Sequence, residues 1–227
     1  MQRKRFLRLA GITLGGIALA PVLTACGGGD EAAIDASVPV LDRTALEPLQ
    51  GEELSAEEIA GLLFMREEEK LAHDVYVALY GLWGAQVFSN IVPSEAQHTE
   101  AVRQLILAHG LADPAATTPP GVFVNAELQR LYDQLVAMGQ PSLIDALKVG
   151  CLVEEKDIVD IEEKKREVLD EPDIVAVYDN LLCGSRNHLR AFNRALETAG
   201  GVYDQPQFLS LDEWTAIAGS APELCGA

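Results

Sequence analysis

Residues 93–109 read PSEAQHTEAVRQLILAH. With Ile91 just ahead of them, they set Ile91, Glu95, His98, Val102, Leu105 and His109 at steps of four, three, four, three and four. That spacing marks one face of a helix. Aliphatic side chains hold the later part of the row, but a carboxylate and an imidazole hold its start. A buried Leu in such a place contributes about 2 kcal/mol. An isolated buried carboxylate is costly and takes up a proton rather than stay charged. The row therefore predicts a helix that turns ligand-type side chains inward for a reason other than packing.

The same pattern recurs in both directions along the chain. Ser55-Ala-Glu-Glu58 is a capping box and predicts a first long helix running to about Leu82. On it Leu62, Met65, Glu69, Ala72, Tyr76 and Leu79 share a face; Glu68 falls in the adjacent row with Phe64, Leu71 and Val75 and rivals Glu69. The second helix starts between Ser89 and Pro93 and ends at Gly110. A proline is comfortable in a first turn and costly in the interior, which favours the later start. Residues 110–141 form a long connection with TTPPG and one short amphipathic helix at about 125–138. The third long helix runs from Ser142 to about Leu169, with Leu147, Cys151, Glu154, Ile158 and Ile161 on one stripe. Glu155 lies one position round and rivals Glu154, and Asp157 borders the stripe. Asp170-Glu-Pro-Asp173 is a stop and restart. The fourth helix follows to about Thr198, aligning Ile174, Tyr178, Leu181, Ser185, His188 and Phe192. A second capping box, Ser210-Leu-Asp-Glu213, predicts a short terminal helix. Strand-type alternation is not evident from Ser55 onward.

The expected architecture is all-α, with two briefly joined helix pairs and a long crossover between helices 2 and 3. Each of the four helices turns at least one carboxylate or imidazole inward. A divalent cation at the axis offsets all of these costs together, because the charges become ligands. Glu-x-x-His sets both side chains on one side of a helix, within reach of one ion or an adjacent pair. Glu and His donors suit iron, or manganese as the alternative, rather than copper(I) or calcium.

The segments REEEKLAHDVY, FSNIVPSEAQH, VEEKDIVDIEE and GSRNHLRAF carry Glu69, Glu95 with His98, Glu154 or Glu155, and His188. This set resembles the ligands of the ferritin-like carboxylate-bridged dimetal proteins, and the wording resembles one uncharacterised bacterial and archaeal branch of that superfamily. The resemblance covers about residues 55–205. It implies a ferritin-like four-helix bundle holding two iron or manganese ions, possessed of oxidase, peroxidase, ferroxidase or catalase activity towards dioxygen or peroxide. It does not name the electron donor. One departure stands out. The superfamily repeats Glu-x-x-His on the fourth helix, whereas this chain has Ser185-Arg-Asn-His188. Asp157 or water would then replace the missing carboxylate, or one ion would bind without a firm second.

Plainer readings stand beside these. Glu95 and His98 alone read as a buried hydrogen-bonded pair, and His188 alone as a satisfied core histidine. His73 reads as a core-edge residue, His109 as a complement to its helix dipole, and Tyr76 and Tyr178 as core. The alternative functions are a non-catalytic metal-binding lipoprotein and a purely structural helical bundle.

The beginning of the chain is different in kind. Basic MQRKRFLR precedes an apolar run from Leu9 to Leu23, which ends in LTAC at Leu23–Cys26. This is a secretory signal layout resembling a bacterial lipobox, and Arg3-Lys4-Arg5-Phe6-Leu7-Arg8 resembles a twin-arginine signal with Lys4 in place of the second Arg. The expectation is a signal peptide over 1–25, lipidation of Cys26, a flexible tether over 26–52, a folded domain over 53–205 and a C-terminal extension over 206–227. The expected location is the cell envelope, lipid-anchored, and facing the periplasm from the outer membrane where there is one. About 175 residues remain for the fold, enough for one buried core. Removing residues 1–25 takes away four basic and no acidic residues, so the net charge goes from −18 to −22. Nucleic acid is a poor partner for such a chain, and cations are compatible ones. Cys151, Cys183 and Cys225 show no metal-type spacing; an exported protein would pair two of them, and spacing does not say which two.

Overall fold

Ser55 opens α1 (Ala56–Trp83) with both halves of its capping box, and Gly84 closes it in the left-handed conformation at φ 60°. In this computed structural model, which describes residues 53–168 and 170–226, the chain then forms α2 (Gln86–Ala108), α3 (Ala126–Gly139), α4 (Leu143–Glu167), α5 (Pro172–Thr198) and α6 (Leu211–Ala218). The described residues contain these six helices and no strand. Asn125 caps α3 and Ser142 caps α4 with their side chains, and Ser210 completes the second capping box. The expected signal peptide, the lipidated Cys26 and the tether lie outside the described residues. No described helix is long and apolar enough to cross a membrane.

One start differs from the sequence reading. α2 begins at Gln86, so Pro93 lies inside it rather than in its first turn. The missing N–H and the ring clash are costly. Phe88 and Ile91, both buried in the core, hold the extra turns ahead of the proline. Tertiary packing outweighs the local preference here.

The four long helices pack α1 on α2, α2 on α5, α5 on α4 and α4 on α1. Across the α1/α4 seam, Gly61 lies by Lys164, Glu68 by Lys156 and Tyr76 by Glu154, so these two run antiparallel. Across α2/α5, Ser94 meets His188, His98 meets Gly184 and His109 meets Asp173, again antiparallel. The crossover climbs the outer side of α1. Arg66 donates to Asp113 (3.1 Å), Asp74 accepts from the Gly121 N–H (2.8 Å), Glu67 accepts from the Val124 and Asn125 N–H groups (2.5 and 2.9 Å), and the Trp83 indole donates to the Gly139 carbonyl (2.8 Å). Glu67 and Asp74 thereby fasten the partly exposed backbone of the crossover to α1.

The core lies where the helix faces meet. The rows expected on α1, α4 and α5 are buried throughout, as is the α2 row from Ile91 to Leu105. Tyr76, Phe88 and Phe192 pack with ring centroids 4.9 to 5.9 Å apart and fill one stretch of the interior.

The C-terminal segment straps the outer side of α5. Arg186 and Arg190 donate to Glu223, Asn187 donates to the Glu223 carbonyl, and Cys183 is disulfide-bonded to Cys225. Cys151 is free and buried. Of the three cysteines whose pairing spacing left open, Cys183 and Cys225 pair because the chain beyond α6 carries Cys225 back to α5.

Candidate metal centre

Glu95 and His98 stand one turn apart on α2 with both side chains directed into the core; they are 1% and 0% exposed. Facing them are Glu69 from α1 (0%), Glu154 from α4 (1%) and His188 from α5 (3%). Each of the four long helices therefore delivers at least one ligand-type side chain to one interior spot.

Glu95 is the hub. Its Oε2 lies 3.4 Å from His98 Nδ1 and its Oε1 lies 2.7 Å from His188 Nδ1. Glu69 Oε2 lies 3.2 Å from the same His98 nitrogen, and Glu154 Oε1 lies 3.6 Å from His188 Nδ1. The two imidazoles are near-parallel at 24°, with centroids 5.3 Å apart. One atom each from Glu95, His98 and His188 can be chosen within 4.8 Å of one another. Ligands about 2.1 Å from a common ion are at most about 4.2 Å apart, so modest closure would join them.

The surroundings fix how these groups point. His188 Nε2 and Ser94 Oγ share a hydrogen bond of 3.0 Å. With the proton on Nε2, Nδ1 is left to present its lone pair to the cluster. The Tyr76 hydroxyl donates to Glu154 Oε1 at 2.5 Å. His98 packs its Nε2 edge against Gly184, where an added Cβ would come within 2.5 Å of that nitrogen. Only glycine lets α5 approach so closely.

Several buried side-chain atoms remain without hydrogen-bond partners: Glu69 Oε1, Glu95 Oε1 and His188 Nδ1, and His98 Nε2 where it meets Gly184. The 2.7 Å approach of Glu95 to His188 does not have hydrogen-bonding geometry. Buried polar atoms are normally satisfied, and each exception needs an explanation. A cation taking the place of the imidazole protons would give Glu95 Oε1 and His188 Nδ1, 2.7 Å apart and unbonded, a common partner. The residues present therefore fit a metal.

Charge follows the same geometry. Burial pulls the Glu95 carboxyl upward, but the His188 and His98 imidazoles prevail and hold it at about 2. Burial would depress both histidines; Glu95, with Glu154 on His188 and Glu69 on His98, instead raises His188 to about 9 and His98 well above the ordinary range. Glu154 is pushed up to about 7 by burial, with His188 opposing and Glu95 adding. Burial likewise raises Glu69.

Two predicted candidates belong elsewhere. Glu155 does not join the cluster. It accepts from the Tyr203 hydroxyl (2.6 Å) and from the Gln207 and Leu209 N–H groups (3.0 and 3.4 Å), so the C-terminal segment claims it. Glu68, the rival on α1, accepts from Lys156 at 2.8 Å and leaves the inward direction to Glu69. Ser185 turns its hydroxyl to the Leu181 carbonyl (2.9 Å) and to Asp157, away from the ligand atoms. Asp157 is buried beside the cluster, raised well above its ordinary range by burial and the neighbouring carboxylates. His73 and His109 pair with Asp74 and Asp173, outside the centre. Sequence reading missed the supporting roles of Ser94 and Gly184. Both flank a motif residue and fall on inward rows, but a Ser or Gly there reads as filler.

Residues 58–221 match the family model described as an uncharacterized protein domain, DUF2202. The chain belongs to the DUF2202 family. It is 45% identical over 178 residues to the uncharacterized protein MJ0754 of Methanocaldococcus jannaschii, covering 78% of this chain and 95% of that one. The crystal structure of hypothetical protein MJ0754 from Methanococcus jannaschii is similar at a TM-score of 0.74 and 45% identity, covering 77% of this chain and 99% of that chain. The DUF2202 match includes every cluster residue and all of α6.

Proposed function

We propose that this DUF2202 protein is a ferritin-like metal-binding protein, a four-helix bundle whose axis holds iron, with manganese as the alternative. The observation that carries the reading is the convergence of five buried ligand-type side chains from four helices, with Glu69 Oε1, Glu95 Oε1 and His188 Nδ1 left without hydrogen-bond partners. Glu69, Glu95 and His98 would hold one ion; Glu95, Glu154 and His188 would hold the second. The second has one carboxylate fewer than a repeated Glu-x-x-His would give, because position 185 is serine. It is therefore the weaker of the two.

A bound pair of such ions supplies two-electron exchange with dioxygen or peroxide. The chain's own contribution is orientation and exclusion. Ser94 sets the His188 tautomer, Tyr76 restrains Glu154, and the surrounding aliphatic and aromatic core keeps bulk water away. On this reading the protein is an oxidoreductase of the oxidase, peroxidase, ferroxidase or catalase kind. The lipobox-like LTAC supports an exported, lipid-anchored form. Palmitate labelling that is lost in Cys26→Ser tests that part.

Protein produced with iron or manganese should carry about one to two metal equivalents and consume peroxide or dioxygen. Metal without turnover would leave a binding protein. No metal would leave the second reading, an ionic network of imidazolium and carboxylate, which the Glu69 to His98 contact of 3.2 Å favours.

A further inference from the structure

A second group of ligand-type side chains converges at one end of the bundle, where α2 stops and α5 begins. One atom each from His109, Glu171 and Asp173 can be chosen within 4.8 Å of one another. His109 is the C-cap of α2, Glu171 is the N-cap of α5, and Asp173 lies in the first turn of α5. His109 comes eleven residues after His98, about 16 Å along a helix. This group is therefore separate from the candidate metal centre.

His109 Nε2 and Asp173 Oδ2 are 3.0 Å apart, with side chains 19% and 15% exposed, so the place opens to solvent. Such a pair by itself contributes little and calls for no ligand. Glu171 is the observation that it does not explain. Glu171 is 6% exposed, and a carboxylate at the N-cap ordinarily accepts from the first-turn N–H groups. Here the side chain makes no capping bond. Among the described residues its carboxylate has no hydrogen-bond partner, and it turns instead towards His109 and Asp173. Burial raises its carboxyl above the ordinary value; the His109 imidazole opposes, and Asp173, Glu58 and Asp170 add. A divalent ion among these groups relieves the gathering of acids. The N-terminal groups of α5 do not compete for the site: the Ile174 N–H donates to Asp173 Oδ1 (2.9 Å) and the Val175 N–H to the Glu171 carbonyl (3.1 Å).

We propose that His109, Glu171 and Asp173 form a second metal site, which binds a zinc ion and clamps the end of α2 to the start of α5. One imidazole and two carboxylates match zinc, which takes nitrogen and oxygen donors in a tetrahedron and can keep water in the fourth position. Calcium and magnesium favour all-oxygen sets. Tetrahedral ligands around zinc stand about 3.4 Å apart, so small side-chain shifts from the present spacing are enough. An ion that binds the folded chain in this way also stabilises it.

Zinc competition between the full chain and a chromophoric chelator tests this. The Glu95→Ala, His98→Ala double variant lacks the axial ligands and should still bind about one zinc equivalent. Adding His109→Gln or Glu171→Gln to it should weaken zinc by at least about tenfold, with helicity unchanged, and should remove the rise in thermal midpoint that zinc produces. Where the double variant does not fold, the otherwise wild-type chain decides: Glu171→Gln should lower zinc stoichiometry by about one equivalent. The inference is overturned if the folded double variant binds no zinc. It is equally overturned if the His109 and Glu171 variants keep the zinc affinity and stoichiometry of their parents. Iron and manganese content separates this result from the fate of the axial site, since Glu171→Gln should leave it unchanged.

Discussion

Glu154 and Glu155 are neighbours on α4 and both are buried, yet they meet opposite surroundings. Glu155 is saturated by one hydroxyl and two backbone N–H groups from residues 203–209. Glu154 faces two imidazole-bearing helices and other carboxylates, in a cluster whose acceptors outnumber its protons. The first is a fastening for the C-terminal segment. The second belongs to a site. Burial alone does not distinguish a structural acid from a ligand; whether its lone pairs are already used does.

Removing the ligands should have the largest effect. Glu95→Ala with His98→Ala should abolish iron or manganese retention, because Glu95 reaches both imidazoles; elemental analysis reads it. Wild-type metal content in that variant would refute the site assignment. Glu155→Ala should do the reverse. It leaves the Tyr203 hydroxyl and two N–H groups unpaired and should cost about 3 kcal/mol in denaturant unfolding, with metal content retained. If it instead strips the metal, the contrast between the two neighbours fails.

Ser185→Glu sharpens the comparison by restoring Glu-x-x-His on α5. Metal content should rise towards two equivalents, provided that Asp157, then deprived of its Ser185 partner, is accommodated; a stoichiometry stuck at the wild-type value would count against a weakened second position. Acidity gives a further contrast. In the metal-free protein the His188 contribution to stability is complete below its ordinary value of 6.5 and is lost as pH rises through about 9. The Glu95 contribution is complete above 4.5 and is lost as pH falls towards 2. Metal-free protein should therefore lose stability between pH 6.5 and 9, and metal affinity should climb over the same interval as ions displace imidazole protons. Thermal melts and metal competition across that interval check both. The smallest effect is expected for Tyr76→Phe, which frees Glu154 from its 2.5 Å donor and should lower metal affinity by about tenfold.

Much of this was legible in the sequence because helical periodicity is a one-dimensional record of a three-dimensional face. The inward rows on α1, α4 and α5 and the two capping boxes could be read directly, whereas the choice between Glu68 and Glu69 stayed open in the sequence and is made by Lys156, which claims Glu68 from α4. Other features depended on contacts made far along the chain. The start of α2 followed the packing of Phe88 and Ile91 rather than the preference of Pro93. The role of Glu155 was decided by Tyr203, Gln207 and Leu209, about fifty residues away and outside any local pattern. The Cys183–Cys225 bridge likewise required knowing where the end of the chain returns. Gly184 falls on an inward row but reads as filler, because its contribution is the absence of a side chain where His98 must fit.

The most direct measurement is elemental analysis of the full chain, freshly purified after production with iron and manganese supplied, set beside the Glu95→Ala, His98→Ala double variant. The account predicts about one to two equivalents of iron or manganese per chain in the wild type and a near-complete loss in the variant. Wild-type protein that holds no metal, or a variant that holds as much as the wild type, would contradict it.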